Sequence, residues 1–190
     1  MTNRREFLQA AAVLTSAPLL NRVTFADGGT AVALNAVVFD SRHPQACNFA
    51  ARAGQLGAPV HAIEADITEI WQSELLKRWQ TGPAVIVGLT ERPALFLLER
   101  LAWDHGLRVV FEAEHAPDGA AHRVLRSGDA GLAGQLAAAG RDWPRVLADS
   151  VIAGTDATTR DYRPTDAAMA AYPGAPVTLH SWIIAPRQAG

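Results

Sequence analysis

"TAVALNAVVFDSRHPQACNFAARAGQLG", residues 30–57, changes its hydrophobic period in the space of four residues. Its first eleven residues (30–40) are a nearly continuous apolar run rich in Val, the pattern of a strand buried on both faces. In 44–57, Ala46, Phe49, Ala50, Ala53 and Leu56 recur at helical spacing, and Gly57 supplies a stop. A doubly buried strand followed at once by an amphipathic helix is the opening of a parallel α/β unit.

The same alternation continues downstream. "PVHAIEA" (59–65) reads as a second strand and "DITEIWQSELLKRWQTG" (66–82) as a helix. Asp66 followed by Glu69 fits a capping box, and Ile67, Ile70, Trp71, Leu75 and Trp79 mark the buried stripe. "AVIVG" (84–88) is a third strand. "PALFLLERLAWDHG" (93–106) is a helix with Pro93 at its start and Gly106 at its end. "LRVVFEAEH" (107–115) is a fourth strand. Short connections require neighbouring elements to pack together, so the expected fold is a three-layer, Rossmann-like α/β domain. Its parallel sheet carries helices on both faces.

After residue 115 the pattern differs. Ala116-Pro117-Asp118-Gly119 is a strong turn, so 121–126 is expected to return antiparallel to 107–115. A three-residue loop would set Glu114 opposite His122, and a two-residue loop would set His115 opposite His122. Pro117 disfavours the second, because the flanking pair would need its missing N–H. Helices are expected over 129–140 and 142–152. A long loop over 153–176 holds a short helix near 165–171. The last strand, 177–186, lies beside the hairpin, which makes the sheet antiparallel at one edge.

Ligands of open parallel sheets bind outside the carboxyl ends of the strands. Those ends deliver Asp40-Ser41-Arg42-His43, Glu64-Ala65-Asp66, Gly88-Leu89-Thr90-Glu91-Arg92 and Glu112-Ala113-Glu114-His115. Ser41 with Arg42, and Thr90 with Arg92, each precede a helix N-terminus, where backbone N–H groups attract anions and Arg adds a bidentate donor. An anionic small molecule could lie between them. The plainer reading gives Ser41 and Thr90 capping duties and solvates the arginines. Tyr162, in the long loop, is the candidate contact covering such a ligand. "FDSRHPQA" lacks the glycines that a pyrophosphate needs.

Candidate catalytic groups are Asp40, His43 and Cys47. One helical turn separates His43 from Cys47, which would allow a thiol–imidazole pair; a buried, inert Cys47 is the alternative. His115, His122, His180 and Glu114 fall near the hairpin and the last strand, where nitrogen and oxygen ligands could hold a metal. The alternative there is a polar sheet edge. Trp71, Trp79, Trp103 and Trp143 lie in helices and are expected in the core. Cys47 is the only cysteine, so cysteine-based metal centres and intrachain disulfides are excluded. No cofactor follows from the pattern.

The N-terminus supplies the other strong signal. Asn3-Arg4-Arg5-Glu6-Phe7-Leu8 precedes an apolar run over 10–20 that is too short to span a bilayer. This segment resembles a twin-arginine export signal, with Gln9 where Lys is common and Thr24-Phe25-Ala26 as the cleavage site. The resemblance covers residues 1–26 and leaves 27–190 as a single α/β domain. It implies recognition by the export machinery and a periplasmic or secreted destination reached in the folded state. Arg4, Arg5, Arg22 and Glu6 leave with the segment, so the net charge of −2 becomes about −4. No basic block remains for nucleic acid, and no second long apolar run for stable membrane insertion.

Three functional readings follow. The first is a non-catalytic accessory or binding subunit of a periplasmic enzyme or pathway, with the small-residue helices 129–140 and 165–171 facing a partner protein. The second is a small hydrolase or isomerase acting on a carboxylated molecule at the strand-end crevice. The third is a histidine-based carrier of a metal or redox cofactor.

Overall fold

The computed structural model describes residues 22–25, 32–82, 84–126, 131–153, 156–157 and 177–186. The expected signal segment (apart from 22–25), Tyr162 and the expected helix 165–171 lie outside them. The fold is α/β. Six strands form its main sheet, in the order β3 (Val60–Ile63), β2 (Val32–Asp40), β4 (Val85–Glu91), β8 (Leu179–Pro186), β5 (Leu107–His115), β6 (His122–Arg126). β2 runs parallel to β3 and to β4, whereas β8 is antiparallel to both its neighbours and β6 is antiparallel to β5. Two short strands extend the β2 side. β1 (Arg22–Phe25) pairs antiparallel with Val32 and Ala33, and β7 (Asp156–Ala157) pairs with β1.

The alternation of strands and helices expected over 30–115 is present among the described residues. β2, β3, β4 and β5 all point one way, because β4 and β5 share an antiparallel neighbour. They are not all adjacent, however. The last strand was expected at the sheet edge beside the hairpin; it does pair with β5, but it is inserted between β5 and β4. Its residues Leu179–Ala185 are all buried, a demand that a central position meets. Gly88 makes the insertion fit. In β4 it stands opposite Trp182 of β8, and a Cβ there would lie 2.1 Å from a Trp182 ring carbon. The bare backbone of Gly88 is therefore the floor on which the indole rests.

Successive residues of the strands feed two separate apolar clusters, as strand alternation requires. Val37, Val85, Val87, Leu89, Phe111 and Ile183 join α1 (Pro44–Gln55), α5 (Leu132–Ala139) and α6 (Trp143–Ala148). Ala36, Val38, Ile86, Val109, Trp182 and Ile184 join α2 (Thr68–Ile70), α3 (Leu76–Thr81) and α4 (Arg92–Trp103). Asn35, polar within an apolar run, sits at a register shift in β2, where its Oδ1 accepts the Val85 N–H at 2.9 Å.

Local details depart from expectation at four places, one of them the helix expected over 142–152, which is α-helical over Trp143–Ala148 and π-helical over Asp149–Ala153. The helix predicted over 66–82 is broken by a π-helical turn, Trp71–Leu75, between α2 and α3. Asp66 Oδ1 accepts from the Thr68 N–H and hydroxyl at 2.8 and 2.6 Å, so the helix begins after an Asx turn rather than in a capping box. Fourth, Trp103, expected in the core, is exposed on α4. Among the described residues no helix is long and apolar enough to cross a membrane.

Candidate functional site

β2 and β4 are adjacent and parallel, and the helices that follow them, α1 and α4, enter different apolar clusters. Their carboxyl ends bring Asp40, Arg42, His43 and Glu91 together. Asp40 is fully buried. Its carboxylate accepts the Arg42 backbone N–H at 3.2 Å, Arg42 Nε at 2.9 Å and Arg42 Nη2 at 2.6 Å. Arg42 Nη2 also reaches Glu91 Oε1 at 2.7 Å, and His43 Nε2 lies 2.9 Å from that same oxygen. Burial alone would raise the Asp40 pKa; the Arg42 hydrogen bonds and charge outweigh it and hold the carboxyl below its ordinary range. The Arg42 guanidinium is correspondingly driven further toward its charged form, chiefly by its hydrogen bonds to Asp40.

Glu91 stood in the strand-end cluster without being singled out as a site residue. It ties the β4 exit to the β2 exit through both Arg42 and His43. Its only sequence signal was its place after a buried strand; the register that sets Phe39 level with Leu89, and so brings the next residues of both strands to one rim, is visible only in the structure.

The anion cradle anticipated from sequence is not assembled by these side chains. Arg42 is engaged with two carboxylates. Ser41 Oγ donates to the Ile63 carbonyl at 3.1 Å, and Thr90 Oγ1 donates to the Glu91 carbonyl while accepting the Trp182 indole N–H at 3.0 Å. Arg92 leaves the crevice for Glu112, 3.7 Å away. Cys47 and His43 do not form a dyad: the thiol donates to the Ser41 carbonyl at 3.4 Å, and the His43 imidazole turns to Glu91.

Asp40, His43 and Glu91 each place one ligand atom within 4.8 Å of the others, a spacing that suits a divalent cation. The Arg42 guanidinium already bridges both carboxylates, so a cation would have to displace it.

The histidines divide between the two faces of the sheet. The hairpin adopts the register in which His115 faces His122 and Glu114 faces Arg123. That register was the disfavoured one. Ala116 pairs instead with Ala121 around a four-residue loop, which leaves Pro117 inside the turn, where its missing N–H costs nothing. Gly119 takes the left-handed conformation, φ +69°, that closes this loop. His115 and His122 approach at 2.8 Å between Nδ1 atoms, His115 Nε2 lies 2.8 Å from Ser181 Oγ, and the His115 ring stacks on Trp143 at 4.5 Å. Burial, reinforced by His122 and His180, pushes the His115 pKa down to about 3. Burial lowers His122 as well, and its Nε2 is buried without a hydrogen-bond partner among the described residues.

His180 points away from this pair and lies 3.2 Å from Glu112, while Glu114 bonds Arg123 at 2.6 Å. The four residues considered as metal ligands therefore do not converge. Glu112 is held below the ordinary carboxylate range: burial opposes this, and the His180 hydrogen bond and Arg92 outweigh it.

Between these polar groups lies a half-open pocket of about 170 Å³, lined by His43, Gln45, Ala116, Pro117, Trp143, Val177 and Leu179. Trp143, expected only to fill the core, forms part of its wall. Gln45 spans the pocket edge through its Nε2, which donates to the Pro117 carbonyl at 3.3 Å. His43 Nδ1 carries no hydrogen bond to a described residue. Comparison of the chain with known protein families, characterised proteins and solved structures finds no match.

Proposed function

We propose that this chain is a non-catalytic accessory or binding protein, exported through its twin-arginine-like N-terminus to serve a periplasmic enzyme or pathway. On this reading the sheet is doubly wound in the Rossmann manner, with its binding crevice beside β2 and β4, where the order reverses. One observation carries the binding assignment. The strand-end charges are satisfied by one another, and what remains open beside them is a largely apolar pocket with an imidazole and an amide at its mouth. Pockets for drug-sized ligands run to about 300–1,000 Å³. A pocket of about 170 Å³ suits a small ring or a single partner side chain.

Gentle purification from the periplasm, with mass analysis of whatever is retained, tests this reading. A retained small molecule or protein that Trp143→Ala releases is the expected outcome. Turnover of any substrate that His43→Ala abolishes would replace binding with catalysis.

That second reading, a small hydrolase or isomerase, has one observation in its favour. Glu91 holds His43 through Nε2, and the His43 side chain lines the pocket, the arrangement of a carboxylate-supported general base.

A further inference from the structure

α4 is apolar around most of its circumference: its sequence runs "ALFLLERLAW" from 94 to 103. Ala94, Leu95, Leu98 and Ala102 face the core. The opposite side sets Phe96, Arg100 and Trp103 in one stripe at i, i+4 and i+7, with Leu97 beside it. Phe96, Leu97 and Trp103 are 45, 47 and 42 % exposed. A helix that is apolar on both sides is ordinarily covered on both.

The polar chemistry of the stripe is specific. The Arg100 guanidinium lies over the Trp103 ring at 4.2 Å and over Phe96 at 5.1 Å, and Arg108 approaches Trp103 at 5.6 Å. Arg42, Arg52, Arg78, Arg92 and Arg123 each reach a carboxylate, whereas Arg100 and Arg108 have no ion pair among the described residues. Glu99 and Asp104 flank the stripe in sequence without engaging either. An arginine stacked on an aromatic ring is already ordered, and its in-plane N–H groups stay free for a bidentate acceptor.

We infer that the outward face of α4 docks a segment of a partner protein in which an acidic side chain sits beside an apolar one. The carboxylate takes the in-plane donors of Arg100, with Arg108 adding positive charge, while the apolar side chain covers Phe96, Leu97 and Trp103. Tryptophan and arginine are the residue types that dominate binding at protein interfaces. The inference rests on the accessory reading but uses none of the rim residues.

The test is binding of the purified full chain to arrayed twelve-residue peptides that set Asp or Glu beside Leu or Phe, with Lys-for-acid versions as controls. Acidic peptides should bind, weaken as salt rises, and lose about tenfold or more in affinity on Arg100→Glu or Trp103→Ala. Arg100→Lys, which keeps the charge and loses the fork, should give a smaller loss. Thermal unfolding of each variant confirms the fold. Equal binding of acidic and Lys peptides, or none, overturns the proposal. So does a concentration-dependent dimer that Trp103→Ala dissolves, or capture by phosphatidylglycerol vesicles that Arg100→Glu abolishes. Retention of a small molecule at the rim should survive both variants, so failure at α4 is distinguishable from failure of the rim pocket.

Discussion

The β3–β2–β4 half of the sheet is parallel and its rim is tied by charge; the β8–β5–β6 half is antiparallel and buries polar groups between its central strands. In the first, Asp40, Arg42, His43 and Glu91 form a partly open network in which each charge meets another. In the second, His115, Ser181 and His180 are buried, and of the imidazole pair His115 stacks on Trp143 while His122 meets the same indole at a tilt. Histidine serves both halves. Its surroundings decide whether it partners a carboxylate at a pocket or acts as a neutral, hydrogen-bonded piece of core.

The seam between the halves should be the most sensitive place. Trp182→Ala removes a fully buried indole from between β4 and β5. Loss of about 3–5 kcal/mol in urea unfolding is expected. If the loss is near that of a surface change, the two halves do not depend on this contact. Gly88→Ala tests the same seam from the other side. Its Cβ would intrude on the indole ring, and destabilisation of about 3 kcal/mol is expected, with Trp182 fluorescence shifted.

Acid separates the halves more directly. His115 is neutral in the fold, with its pKa lowered from 6.5 to about 3. The unfolded chain therefore takes up a proton that the folded chain refuses. This stability is complete above about pH 6.5 and is lost progressively toward pH 3, with about 2 kcal/mol gone at pH 5. Asp40 has the opposite chemistry: its depressed pKa contributes stability above its ordinary value of 3.8 that disappears only as pH falls through the lower folded value. Hydrogen exchange at pH 5 should accelerate first in β5 and β6. Earlier opening at the β2 exit would reverse the comparison.

The smallest effect belongs to the rim. Glu91→Gln removes one charge from a half-exposed network and should cost about 1 kcal/mol or less. Faster exchange at residues 41–44, with the rest of the sheet unchanged, would mark Glu91 as a local tie.

These halves also differed in how far the sequence revealed them. The parallel half was legible because each element carries its own period, as Ala46, Phe49, Ala50 and Ala53 do in α1. That 177–186 is a strand beside the hairpin was equally legible, but its second neighbour was not. Its place depends on the absence of a side chain at Gly88 opposite a large one at Trp182, a match between distant residues that no local window contains. At the rim, Asp40, Arg42 and His43 could be read from their position after a buried strand. Their direction could not: Arg42 turns inward to two carboxylates, whereas Arg92, in the corresponding place after β4, turns to Glu112. The hairpin register failed for a related reason. The cost of Pro117 was weighed at a pairing position, and a longer loop removed it from pairing altogether.

β1 lies just upstream of the expected cleavage point after Ala26, and β7 has β1 as its strand partner. Export processing at that point would thus prune the sheet as well as release the protein. The precursor would carry a capped border along Val32 and Ala33, and the matured form would present bare amides there. Maturation would in that case change which strands the protein can recruit, and a precursor locked against cleavage would be a different binding partner from its product.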